Sequence, residues 1–204
     1  MNQINSFTHS VMFHHFYDDK KHPQGQGAIS SSDFTKAIKY LDDHYCLISA
    51  SDYLTHFLGD TLQDNHICLS FDDALKCQID IALPILEKKK LNAFFFIYTS
   101  PLTGAPDFLE VYRHFRTVNY QNIDAFYDDF FLIFAAKHKI LFNQSKESFN
   151  HKEYLTDFPF YSSNDKYFRY IRDNILSKSQ YHHLMLDLFQ KHAFNYSESI
   201  CPTR

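Results

Sequence analysis

Residues 67–74 read ICLSFDDA. A short apolar run bounded by turn residues is typical of a buried strand, so Ile67 to Phe71 is predicted to be one. Two adjacent carboxylates, Asp72 and Asp73, follow at its C-terminal end. Active sites of α/β folds are built at the carboxyl ends of strands, and one carboxylate can act as a base while the other binds a metal. The alternative is a turn with a helix N-cap, because Asp also accepts backbone N–H groups there.

Outward from this stretch, strand and helix patterns alternate. Further apolar runs predict strands at 10–16, 45–48 and 93–97. The first of these strands contains His14 and His15. Such alternation is typical of a mainly parallel sheet or barrel.

Helical spacing of apolar residues predicts the segments between the strands. Caps are expected at 31–33 and at 49–51. A further helix is predicted over 75–90, in which Ile79 faces inward and Pro84 marks a kink or a restart.

The second half of the chain has a different pattern. Residues 107–141 carry aromatic residues at helical spacing, and 153–196 contain more helical pattern, whereas 143–152 are polar and predict a linker or loop. Exposed apolar stripes are rare, so these aromatic residues are expected to form a core. The chain is therefore predicted to divide into an α/β part, 1–100, and a mainly helical insertion or cap, 101–204.

Composition and charge narrow the classes of partner. The 204 residues carry a formal net charge of −4, which disfavours nucleic acid and anionic membranes. No secretory signal is visible, and no apolar run is long enough to span a membrane, so a cytoplasmic protein is expected.

Cysteine and histidine spacing gives no metal motif. The cysteines lack CxxC spacing and are expected to be reduced, mostly buried thiols; they are Cys46, Cys68, Cys77 and Cys201. None of the thirteen histidines is followed by another four residues later. The adjacent pair His14-His15 is expected to diverge, because neighbouring side chains point apart on a helix or strand.

Three blocks, in this order, resemble the polysaccharide deacetylase family, the metal-dependent carbohydrate esterases that remove N-acetyl groups from glycans. The blocks are VMFHHF at 11–16, ISSSDFTKAIKYLDDHYCLISASDYL at 29–54 and LSFDDALKCQIDIALPILEKKKLNAFFFI at 69–97. The third is the most specific. Residues 107–196 resemble, more weakly, an insertion in a subgroup tied to surface-glycan synthesis.

The resemblance implies a fold and a chemistry. The fold would be a partial or distorted (β/α) barrel with a largely α-helical insertion or cap. The activity would be hydrolysis of amide-linked N-acetyl groups on a glycan or amino-sugar substrate. The bond that breaks is a carbon–nitrogen bond that is not a peptide bond. The reaction would need a divalent metal, most often zinc. By position, Asp72 would be the catalytic base and Asp73 a metal ligand, and His14 is assigned to substrate binding beside the cleft.

Two departures from the family pattern accompany the match. Ala74 stands where the family usually has Gly, which makes a backbone with positive φ less comfortable. The second metal-binding motif, His-x-x-x-His, is absent from the sequence, as are the later motifs. The chain as given is therefore expected to be incomplete and to lack deacetylase activity by itself. If it is part of an enzyme, the missing histidines come from a downstream segment or a partner, and open sheet edges favour self-association. The alternative is a non-catalytic remnant that binds a glycan or a protein.

Overall fold

The computed structural model describes residues 10–195, which fall into two compact units. The first unit extends to Asp107, and the second begins at Phe108.

The first unit is built on a parallel sheet whose central strand is β5, His66–Phe71. All six residues of β5 are buried, which is typical of a strand that is covered on both faces. Strand β1, Ser10–Phe13, pairs with one side of β5. Strands β4, Cys46–Leu47, and β6, Phe94–Phe95, pair with the other side. The predicted parallel sheet is confirmed.

The predicted strand over 10–16 is interrupted. Strand β1 ends at Phe13, and β2, Phe16–Tyr17, pairs in parallel with β3, Ile29–Ser30, in a separate two-stranded sheet. His14 and His15 therefore lie outside regular strand structure. The reason is that β1 and β2 have different partners, so the chain must leave one sheet before it enters the next.

Two helices of the first unit begin at serine caps. Helix α1, Ser31–His44, is capped by Ser30 rather than by 31–33, and the Ser30 hydroxyl accepts the backbone N–H of Asp33. Helix α2, Ala50–Leu58, is capped by Ser49, as predicted.

The helix predicted over 75–90 contains a π-helical turn, Gln78–Ala82, followed by α3, Leu83–Lys89. Pro84 lies in the first turn of α3, directly after the π turn, so the predicted kink or restart is found at this position. Ile79 was predicted to face inward, but it is 47 % exposed. The wider π turn changes the angular spacing of the side chains, which moves Ile79 off the buried face.

The second unit is helical and has a core of aromatic side chains, as predicted. Its rings pack edge-to-face, for example Phe130 against Phe168 at 5.0 Å between centroids. The helices are α4 Phe108–Asn119, α5 Ile123–Lys137, α6 Lys139–Ser148, α7 Ser163–Tyr170 with a π-helical continuation over Ile171–Ile175, and α8 Lys178–Lys191.

The prediction of a linker or loop over 143–152 is wrong for residues 143–148, because α6 continues to Ser148. Ser145 is buried, donates to the carbonyl of Phe142 at 2.7 Å and contacts the Tyr167 hydroxyl at 2.8 Å. Internal hydrogen bonds thus allow a polar sequence to pack as a helix.

The fold is mixed α/β, with a parallel sheet and a majority of helices. The strands found between residues 10 and 195 do not form a closed barrel, so the barrel type stays a prediction. In the same range, every helix is too short or too polar to cross a membrane. Of the cysteines that the structure covers, Cys68 and Cys77 are buried and Cys46 is exposed; Cys201 lies outside the described residues.

Candidate functional site

The site begins where two paired strands end together. Strands β1 and β5 are parallel, and their last paired residues are Phe13 and Phe71. The chain therefore leaves both strands at the same end of the sheet, through His14 on one side and Asp72 on the other. This is the end at which parallel sheets place functional residues.

Two of the three predicted site residues are in direct contact. His14 Nε2 donates to Asp73 Oδ2 at 2.8 Å, and the two side chains are 28 % and 32 % exposed. Asp72, the predicted base, is partly buried at the end of β5. The His14 and Asp73 side chains are thus partly buried and partly accessible to solvent.

The two adjacent histidines do not diverge. The ring centroids of His14 and His15 lie 4.2 Å apart at an interplanar angle of 54°. The prediction that they point apart is wrong because it assumed a regular strand, and this segment is not one. Two imidazoles and the carboxylate of Asp73 therefore belong to one region of the first unit.

The acidic pair enters a strained turn of four residues, 72–75, which we call the acidic turn. Its central residues, Asp73 and Ala74, have φ values of 68° and 51°. Asp tolerates this left-handed region, whereas Ala is strained there by its Cβ. The discomfort predicted for Ala74 in place of Gly is thus observed. The turn that the alternative predicted is present, and the Asp73 carboxylate contacts His14.

A residue that the sequence did not single out, Gln78, holds the acidic turn. Its side chain is fully buried. Its Nε2 donates to the backbone carbonyls of Asp72, at 2.6 Å, and His14, at 2.9 Å. Its Oε1 accepts the backbone N–H of Leu75 at 3.2 Å. The signal in the sequence is a polar residue at helical spacing from Leu75 and Ile81, on a face that is otherwise apolar.

Aromatic rings form the layer beneath the strand ends. Phe34 from α1 packs edge-to-face on Phe13 at 4.8 Å and on Phe71 at 5.9 Å between centroids. Phe71 stacks on Phe95 of β6 at 4.7 Å. The residues immediately before His14 and Asp72 are therefore anchored in one aromatic cluster.

The polar loop after β2 is fixed at two points. Asp18 Oδ1 accepts the backbone N–H groups of Lys20, Lys21 and His22. These hydrogen bonds, that of His22 first, lower the pKa of Asp18 to about 2. His22 Nε2 donates to Asp80 Oδ2 at 2.9 Å, which lowers the pKa of Asp80 and joins the loop to the π turn that carries Gln78.

The donor atoms suit a divalent metal. Zinc takes histidine nitrogen and carboxylate oxygen at about 2.0–2.2 Å, so neighbouring ligand atoms of a tetrahedral site lie about 3.3 Å apart. His14 Nε2 and Asp73 Oδ2 lie 2.8 Å apart, which is the distance of a hydrogen bond and shorter than that spacing, so an ion held by both atoms would replace the proton between them. Imidazole and carboxylate are donor types that zinc accepts, and His15 is the next imidazole along the same segment.

Comparison with known proteins gives one structural likeness. No protein-family model matches the chain, and no curated protein matches it. A solved structure of a de-N-acetylase from Aggregatibacter actinomycetemcomitans is similar at 24 % identity and a TM-score of 0.39. The match covers 46 % of this chain and 38 % of that one. A likeness of this extent does not by itself support a function.

Proposed function

We propose that the first unit carries the site of a metal-dependent hydrolase that removes N-acetyl groups from a glycan or amino sugar. The observation that carries the proposal is the 2.8 Å contact between His14 Nε2 and Asp73 Oδ2, directly beside Asp72 at the ends of two paired parallel strands. The resemblance of residues 69–97 to the polysaccharide deacetylase signature supports the same chemistry.

Each site residue has a role in this proposal. Asp73 and His14 would hold a divalent ion, most simply zinc, in place of the proton that they share. When bound, such an ion polarises the amide carbonyl and lowers the pKa of a water molecule. Asp72 accepts the proton of the attacking water as general base. The contact of His14 with Asp73 favours a ligand or orienting role over the substrate-binding role assigned from the sequence.

A non-catalytic binding module is the second candidate. The sequence contains no His-x-x-x-His pair, and two ligands leave a zinc site short of protein donors. In that case the first unit keeps the shape of a deacetylase site without tight metal binding, and the partner is a glycan or a protein.

Zinc binding by calorimetry on the full chain separates the two candidates. We expect binding at micromolar affinity or tighter, and a loss of more than about 100-fold in Asp73→Ala, since even outer-shell partners of a metal cost 10–100-fold. Asp64→Ala, which removes an exposed carboxylate outside the site, is the matched control and should bind as the unmodified chain does. Absence of binding, or equal binding by Asp73→Ala, would contradict the proposal.

A second assay tests the base. Release of acetate from an N-acetylated oligosaccharide, by the full chain or by the full chain with the segment or partner that supplies further histidines, should disappear in Asp72→Asn. Zinc binding should persist, because the variant keeps the ligands and loses the proton acceptor. Unchanged turnover in Asp72→Asn would exclude this residue as the base.

A further inference from the structure

We infer that Gln78 is the positioning residue of this site and sets the separation between His14 and Asp73. Its relevance to catalysis rests on the proposed function, whereas the contact that it controls belongs to the structure of the first unit alone. Three hydrogen bonds, the strain of the acidic turn and the burial of the Gln78 amide lead to this inference.

The amide of Gln78 closes the acidic turn. In an ordinary four-residue turn the first carbonyl often accepts the N–H of the fourth residue. Here Gln78 serves both ends: Nε2 donates to the Asp72 carbonyl, and Oε1 accepts the Leu75 N–H. The two residues between these ends are Asp73 and Ala74, both at positive φ. One side chain therefore holds the strained backbone that orients the Asp73 carboxylate.

The same amide links the turn to the end of β1. The second N–H of Gln78 Nε2 donates to the His14 carbonyl at 2.9 Å. A glutamine amide has two donor hydrogens, and both are used on the segments that carry the His14 and Asp73 side chains. Because the side chain is fully buried, water does not compete for these bonds, and losing them leaves backbone carbonyls unpaired.

Two substitutions remove the link in different ways. Gln78→Met keeps the length of the side chain and removes its three hydrogen bonds, whereas the backbone N–H of residue 78 still donates to the Leu75 carbonyl. Gln78→Glu keeps the acceptor for Leu75 and, when ionised, removes both donors. Ile81→Val is the matched control, since Ile81 is a buried residue of the same π turn and its truncation destabilises the core without removing a hydrogen bond.

The primary measurement is the ¹⁵N spectrum of the His14 imidazole in the full chain, which reports the hydrogen bond from Nε2 to Asp73. We expect both Gln78 variants to lose this signature and Ile81→Val to keep it. Zinc affinity should fall about 10–100-fold in the Gln78 variants, which is the range measured when a residue that orients a metal ligand is changed. In Ile81→Val it should fall less than about twofold. A folded Gln78→Met with the unmodified His14 spectrum would overturn the inference.

The design distinguishes this inference from the proposed function. If the unmodified chain binds no zinc, the proposed function fails, and the His14 spectrum still decides the role of Gln78. If neither Gln78 variant folds, hydrogen exchange of the Gln78 side-chain amide in the unmodified chain decides it. Strong protection is expected, and exchange at the rate of a free amide would overturn the inference.

Discussion

The two units use buried polar groups for different purposes. In the first unit Gln78 bonds to the backbone of two loops and so orders the segments that carry the candidate site. In the second unit the buried polar groups join side chains of different helices, as in Ser145 with Tyr167 and Tyr127 with Asp165. Buried hydrogen bonds thus build a site when they hold irregular backbone, and support packing when they join helices.

Backbone strain follows the same division. Two consecutive residues other than glycine, Asp73 and Ala74, have positive φ in the first unit, at the candidate site. The other described residues of this kind are isolated, at Asp60 and Lys90 in the first unit and at Leu155 and Ala193 in the second. Because strain persists only where the surrounding structure enforces it, the paired strain supports a functional role for the acidic turn.

The largest effect is expected from truncating one buried ring in each unit. Phe34→Ala and Phe130→Ala should each lower the free energy of unfolding by about 3–5 kcal/mol in urea titrations, since both rings are fully buried. Only Phe34→Ala should also alter the His14 imidazole spectrum, because Phe34 packs on Phe13 and Phe71. An altered spectrum in Phe130→Ala would break the comparison.

A hydroxyl deletion tests the polar pairs of the second unit. The Tyr127 hydroxyl donates to the buried Asp165 carboxylate, and burial, followed by that hydrogen bond, raises the pKa of Tyr127. Tyr127→Phe should cost about 1–3 kcal/mol, because it leaves a buried acceptor without this donor. Tyr40→Phe, at an exposed ring, should change the free energy of unfolding by less than about 0.5 kcal/mol. Equal effects of the two variants would mean that Asp165 finds another donor.

The strain at the acidic turn can be measured by its relief. Ala74→Gly should stabilise the first unit by about 1 kcal/mol, since Gly adopts positive φ without a Cβ clash. The same change inside α1, Ala37→Gly, should destabilise it by about 1 kcal/mol. Chemical denaturation measures both, and a stability loss in Ala74→Gly would show that its conformation carries no strain.

The smallest effect is a pH dependence of the second unit. Burial lowers the pKa of His114 and His182, and His182 Nδ1 faces the Tyr112 hydroxyl. Above about pH 6.5, the ordinary value, both rings are neutral in the folded and unfolded chains. Below it the unfolded chain binds protons first, so stability should fall as the pH drops. The melting temperature of His182→Gln should fall less between pH 7 and 5, and an equal fall would contradict this assignment.

Local chemistry made part of this structure predictable. The strand over 67–71, the Ser49 cap, the restart at Pro84 and the aromatic core follow from short-range periodicity, capping and burial. The break after Phe13 could not be predicted, because it depends on which strand β1 pairs with. The helix through Ser148 could not be predicted either, because the Tyr167 hydroxyl, distant in sequence, contacts the buried Ser145. Ile79 was misplaced because a π turn shifts the helical period.

That two carboxylates, Asp72 and Asp73, follow a buried strand could be predicted from the sequence, because a short apolar run bounded by turn residues is typical of such a strand. The contact of Asp73 with His14 and the hydrogen bonds of Gln78 to both segments depend on the folded chain and could not be predicted. These contacts join residues that are distant along the chain, through the parallel pairing of β1 with β5. The physical reason is that strand pairing and the hydrogen bonds of a buried amide depend on which segments the packed core brings together, and local sequence does not encode that choice.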